Sequence, residues 1–207
     1  MPVMAHLELP HVVADQVLAE DEGARHGFRV IARSGCSDPS DDYRCLVPAT
    51  LLVTGKDGHV EQRVDLGEVT ADVPEVHLAD FDLDGREDVA IHHDDSGPYG
   101  GPTYEVFLAT GPRAEPFRRS PFLSTLTRDN LGMFEIDAKH RRLTTGSKSG
   151  CCWHSSATYA IRRGFFILVE TLEEDGTRGD DFLHCTRRFL RGGSWHRVQW
   201  KKPIDDE

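Results

Sequence analysis

No run of 18 apolar residues occurs in the 207-residue chain, so no segment reads as a membrane-spanning helix. The opening Met1-Pro2-Val3-Met4-Ala5-His6 lacks a basic stretch followed by an apolar one and does not read as a secretory leader. None of the five cysteines forms a C-x-x-C pair, which removes the common structural zinc patterns. Gly-x-Ser-x-Gly, a Walker loop and a dinucleotide fingerprint are all missing. Positive charge is scarce: 24 Lys and Arg stand against 35 Asp and Glu, a net charge of −11. Such a chain repels nucleic-acid phosphates and anionic lipid surfaces. It favours metal cations or a basic protein partner.

Long amphipathic helical patterns are also lacking, whereas β signals recur about every ten residues with turn chemistry between them. Phe28–Ala32, Thr50–Thr54, Asp88–His92, Tyr104–Leu108, Phe134–Ile136, Arg142–Thr145 and Ser156–Ile161 read as strands. So do Phe165–Thr171, Phe182–Leu190 and Trp195–Trp200, while Asp57-Gly58 marks a tight hairpin after Thr54. Val60 to Leu66 alternates in the manner of a strand with one wet face. The pattern predicts an all-β fold, a propeller-like or barrel-like antiparallel β domain over residues 26–207. Residues 1–25 are poorly patterned, with a short helix or an edge segment expected around Val12, Val13, Gln16 and Val17.

Cys36 and Cys45 flank a polar stretch, Ser37 to Asp42, and a disulfide across that loop is expected in an oxidising compartment. Cys185 is expected to pair with Cys151 or Cys152, leaving one thiol over. These staples point to an exported, periplasmic protein; five reduced thiols in a cytoplasmic protein is the alternative.

Acidic residues concentrate between Asp72 and Asp95, and within that region Asp80-Phe81-Asp82-Leu83-Asp84-Gly85-Arg86-Glu87-Asp88 has a defined spacing. Carboxylates fall at relative positions 1, 3, 5 and 9. Alternation on an extended segment turns Asp80, Asp82 and Asp84 to one side, and Gly85 allows a sharp bend. The Arg86 carbonyl can then supply a further oxygen and Asp88 can close the shell. A hard, oxygen-only set of this kind suits calcium. An EF-hand would require Glu at relative position 12, where Ile91 stands. Like charges this close repel unless a cation lies between them, and the expected role is structural.

Asp-x-Asp-x-Asp-Gly-x-x-Asp between strands resembles the calcium loops of integrin-type FG-GAP propeller repeats. A longer resemblance runs from Leu78 to about Leu172. It includes Asp80–Asp88, the Gly-rich loop before Tyr104–Leu108, Phe117, Ser149-Gly150-Cys151-Cys152-Trp153-His154, Tyr159 and the strand Phe165–Val169. That order is similar to a family of bacterial periplasmic, propeller-like proteins, which includes immunity proteins that inhibit secreted lysozyme-type toxins. The resemblance implies calcium-stabilised β structure and binding to a basic toxin or cell-wall hydrolase. Inhibitors of lysozyme-type enzymes push a Ser-Gly-x-x-Tyr-like loop into the catalytic cleft. Ser96-Gly97-Pro98-Tyr99 looks like a compact version, and Ser149-Gly150 with Tyr159 is a rival candidate.

Two readings of another class compete. A hydrolase on a propeller-like scaffold would use Cys152, beside His154 on one strand face, or surface carboxylates. A calcium-dependent structural or adhesion domain would use the loop alone. His92-His93-Asp94-Asp95 could offer zinc ligands, but adjacent histidines on a strand point to opposite faces.

Overall fold

The computed structural model describes residues 16–32, 45–71, 75–111 and 115–204. Within them, sequential strands pair antiparallel and assemble into three open sheets. The first sheet comprises β1 (Gln16–Glu22), β2 (Gly27–Ala32), β3 (Leu46–Thr54) and β4 (Val60–Thr70) in sequential order. The expected hairpin after Thr54 forms, with Gly58 at φ 78° and the Asp57 carboxylate accepting a bond from His59 N at 3.0 Å. β1 is an edge strand, so the edge-segment alternative applies to Gln16–Glu22.

The second sheet comprises β5 (Val76–Ala79), β6 (Asp88–Asp94), β7 (Thr103–Leu108) and β8 (Arg118–Arg119), again in sequence. Helix α1 (Pro121–Asp129) follows. Six strands make the third sheet: β9 (Glu135–Asp137), β10 (Arg142–Ser149), β11 (Trp153–Arg162), β12 (Phe165–Asp175), β13 (Phe182–Arg191) and β14 (Ser194–Pro203). The fold is all-β, but the barrel expectation is corrected. The outermost strands of each sheet find no partner to close a ring among the described residues.

The second sheet is central because its strands are apolar on both faces. Val89, Ile91 and Phe107 join the first sheet's Phe28, Val30, Leu51 and Val53 in one core. Ala90, Tyr104 and Val106 point the other way, onto Leu123 and Leu126 of α1 and Leu143 and Ile161 of the third sheet. Beyond β12 the third sheet has less to pack on: every residue of β14 is exposed.

The helix docks through hydroxyls as well as leucines. Ser124 Oγ accepts from Val106 N at 3.0 Å, and Thr127 Oγ1 accepts from Tyr104 N at 3.0 Å and donates to Tyr104 O at 2.9 Å. These bonds satisfy β7 backbone groups where the two-residue β8 does not reach. Ser120 caps the helix, its side chain accepting from Leu123 N, and Pro121 begins it. Thr127→Val keeps the volume but strands both Tyr104 groups in a buried site. The expected loss is about 1–3 kcal/mol per unsatisfied group, read as a lower urea midpoint at constant m-value.

Candidate functional site

The acidic loop hangs between β5 and β6, so its two ends are fixed by the Ala79↔Asp88 pair. Phe81 anchors it from within, 3% exposed and in edge contact with Phe134 at 5.6 Å. Leu83 at φ 58° and Gly85 at φ 89° give the chain its tight reversals. A left-handed Leu83 costs about 1–2 kcal/mol, and its side chain packs on the second core.

The structure gathers Asp80, Asp82 and Asp88, whose ligand oxygens lie within 4.8 Å of one another. Asp82 and Asp88 are buried. Desolvation, helped by neighbouring carboxylates, raises Asp82 above the ordinary aspartate range and pushes Asp88 up to about 7. Asp88 also holds the fold together: its Oδ2 accepts from Phe81 N at 2.7 Å and its Oδ1 from Ala109 N at 2.8 Å. Asp80 accepts from Asp84 N and Gly85 N, both at 2.9 Å.

Asp84 does not join the trio. Its Oδ2 accepts from Arg86 Nη2 at 2.5 Å and from Arg86 Nε at 2.9 Å, and this guanidinium holds its carboxyl below the usual range. Arg86 is thus spent on Asp84 and makes no hydrogen bond to the trio. An all-carboxylate trio without a basic hydrogen-bond donor is the donor set a hard divalent cation takes. Asp80, Asp82 and Asp88 fit such an ion as placed, and Asp84 would have to release Arg86 to add to them.

The Ser96–Gly101 loop lies at the other end of β6. Asp94 Oδ1 accepts from Ser96 N at 2.9 Å, Ser96 Oγ at 2.6 Å and Thr103 Oγ1 at 2.8 Å. Burial opposes ionisation of Asp94, but bonds from Ser96, Thr103 and His93 outweigh it and keep the carboxyl well below the usual range. Gly97 is a fixed requirement, because a Cβ there would sit 2.8 Å from the Gly101 carbonyl oxygen. Gly97 N donates to Gly101 O at 3.1 Å, and Gly101 N to Pro98 O at 3.1 Å. Tyr99 stands at the tip with φ 59° and ψ 26°, 61% exposed. A bulky non-glycine residue in that region is uncommon and directs attention to function.

Tyr99 is also braced across the molecule. Its hydroxyl accepts from Gly150 N, and Lys148 Nζ lies 4.8 Å from its ring centroid. The β10–β11 turn, Ser149-Gly150-Cys151-Cys152, therefore rests on the Tyr99 loop. The two rival loop motifs are neighbours, a juxtaposition that spans 51 residues of sequence. Tyr159 is elsewhere. Six residues along β11 from Trp153, about 20 Å at strand rise, it is half-buried with its ring 5.5 Å from Phe122. Burial raises the Tyr159 hydroxyl pKa, and the contacts are those of a packing residue.

Cys151 and Cys152 are joined to each other, Cα atoms 3.8 Å apart, and Cys185 is a buried free thiol. The expected Cys185 pairing is corrected. Cys185 sits across from Glu174, which in turn faces His154, so two strand spacings of about 10 Å part it from β11. That is beyond disulfide reach. Cys45 is disulfide-bonded, while Cys36 lies outside the described residues. With Cys152 in a disulfide, the thiol-hydrolase reading loses its nucleophile. His92 and His93 engage separate acids, Asp95 at 3.1 Å and Asp94 at 3.2 Å, and do not converge.

No helix among the described residues is long and apolar enough to cross a membrane. No protein-family model matches the chain, and no curated protein matches it in sequence. A solved structure described as a Xanthomonas type IV secretion system related protein shares the fold, with a TM-score of 0.69 and 22% identity, covering 90% of this chain and 97% of that one.

Proposed function

We propose that the protein is a calcium-stabilised binding protein, exported to the periplasm, that inhibits a secreted lysozyme-type cell-wall hydrolase. The observation that carries the reading is Tyr99: an exposed ring in left-handed backbone, fastened by Asp94 on one side and the Gly150 turn on the other. A pre-ordered aromatic with a polar tip loses little entropy on docking and suits the centre of an interface. Its hydroxyl can reach a catalytic carboxylate in a sugar-binding cleft, while Ser96 and Gly97 hold the loop's shape. Tyr159 contributes packing beneath the sheet.

Calcium, in this reading, binds Asp80, Asp82 and Asp88, and draws in Asp84 and the Arg86 carbonyl. Its role is to fix the β5–β6 connection, and hence β6, which carries the Tyr99 loop at its far end. The three serial sheets are read as propeller-like blades. A neighbour described as secretion-system related supports a setting in which such an inhibitor would act. The acidic surface suits a basic enzyme through fast association.

The deciding experiment is inhibition. The purified protein is titrated into a lytic assay with secreted lysozyme-type cell-wall hydrolases, with calcium present. Saturable loss of lysis at equimolar protein is expected. Full lytic activity together with no complex on size exclusion rules the proposal out.

A further inference from the structure

The net negative charge, which sets the chain against anionic lipid, is not evenly spread over the molecule. Strands of the third sheet alternate in direction, so the β9–β10, β11–β12 and β13–β14 turns project from the same end. Together they enclose an open cleft of about 920 Å³. Its walls carry Arg141, Arg142, Arg162 and Arg163, and its floor includes Val169 and Leu190. The β12–β13 ladder stops at Glu170↔Phe189, so the two hairpin tips are free of each other beyond that point, and the cleft opens between them.

These arginines are not neutralised. Arg141 donates to the Leu83 carbonyl at 3.1 Å, and among the described residues Arg142, Arg162 and Arg163 have no acidic partner. The acid cross-strand from Arg142, Asp137 on β9, is engaged by His140 at 2.6 Å and makes no ion pair with the arginine. Arg191 adds charge at the third tip. Elsewhere in the sheet Arg187 is paired with Glu170, and Arg178 of the β12–β13 turn with Asp175. Exposed rings flank the tips: Phe165, cross-strand from Arg162 and on its face, is 72% exposed, and Trp195, cross-strand from Leu190 on the opposite face of the sheet, is 51% exposed.

We infer that this end docks on an anionic phospholipid surface. Guanidinium groups bind phosphate oxygens bidentately, and exposed Phe and Trp rings at hairpin tips settle into the headgroup layer. A molecule of net charge −11 can meet such a surface only through its basic end, so docking fixes its orientation. All three tips carry arginine, and two of them carry an exposed ring.

The test is co-sedimentation of the full chain with vesicles of phosphatidylglycerol and phosphatidylcholine against vesicles of phosphatidylcholine alone. Binding only to the anionic vesicles is expected, weakening with salt. Each basic residue near such a surface contributes about fivefold in partitioning, about 1 kcal/mol. Arg162→Glu with Arg163→Glu therefore lowers binding about 25-fold or more. Phe165→Ala with Trp195→Ala lowers it at unchanged salt dependence, and unaltered melting temperatures show that both variants fold. Equal sedimentation with neutral vesicles, or full retention by the double Glu variant, overturns the inference. So does binding of polyglutamate in place of vesicles, which would make the cleft a site for acidic protein segments. Hydrolase inhibition is read separately and does not depend on the result.

Discussion

Asp82→Ala is expected to abolish the rise in melting temperature that calcium gives the parent protein, and to change little in chelator. With a site of about 10 µM, 1 mM calcium stabilises by about 2.7 kcal/mol. For a chain of this length that is a shift of about 6–10 °C. Asp82 accepts only one backbone bond, from Asp84 N at 3.1 Å, so without the ion its removal relieves crowding more than it breaks structure. Asp88→Ala should behave differently. It leaves Phe81 N and Ala109 N unpaired in a buried place. It therefore costs about 2–6 kcal/mol even in chelator, and in calcium it loses the ion's stabilisation as well. A scan of both variants in both buffers separates the ion's contribution from that of the carboxylate. Equal losses for Asp82→Ala in the two conditions would remove calcium from the proposal.

Tyr99→Ala is expected to weaken hydrolase binding by about 2–4 kcal/mol, roughly 30- to 1000-fold, the cost of deleting a central aromatic anchor. Global stability should hardly move, because the ring is 61% exposed. Tyr99→Gly should match Ala in binding yet melt higher, since glycine relieves a left-handed backbone worth about 1 kcal/mol. Isothermal titration beside thermal scans gives both numbers. A variant that binds normally would move the interface away from this loop. Asp94→Ala offers a milder check: Tyr99 stays, but its loop loses three bonds. Faster amide exchange across 96–101 and an intermediate affinity are expected.

Features set by neighbouring residues were legible in the sequence. Asp57-Gly58 marked its hairpin, and the alternating aspartates marked their loop, because each signal lies within a few residues of its effect. Helix α1 escaped apolar periodicity because half of its buried face is Ser124 and Thr127, chosen to bond β7 rather than to fill space. The Ser120-Pro121 start signal was present and could have found it. β5 was too short to read, and the acidic Glu20-Asp21-Glu22 hid the strand at β1. Spacing grouped Asp84 with the other aspartates and did not reveal that Arg86 curls back onto it. The contact between Tyr99 and Gly150 is non-local and left no trace in either segment.

β14 closes the third sheet with one rail of backbone donors and acceptors facing outward, and its flanks carry Trp195, Val198 and Trp200. A bare margin of that kind invites stacking of one molecule on another, edge to edge. Lys201 and Lys202 are paired with Asp180 and Glu174, so Arg197 is the repelling cation along the same rail, and Pro203 withdraws a donor at its end. The strand thus carries its own guard against fibrillar self-assembly in Arg197 and Pro203, and replacing both would expose the protein to it.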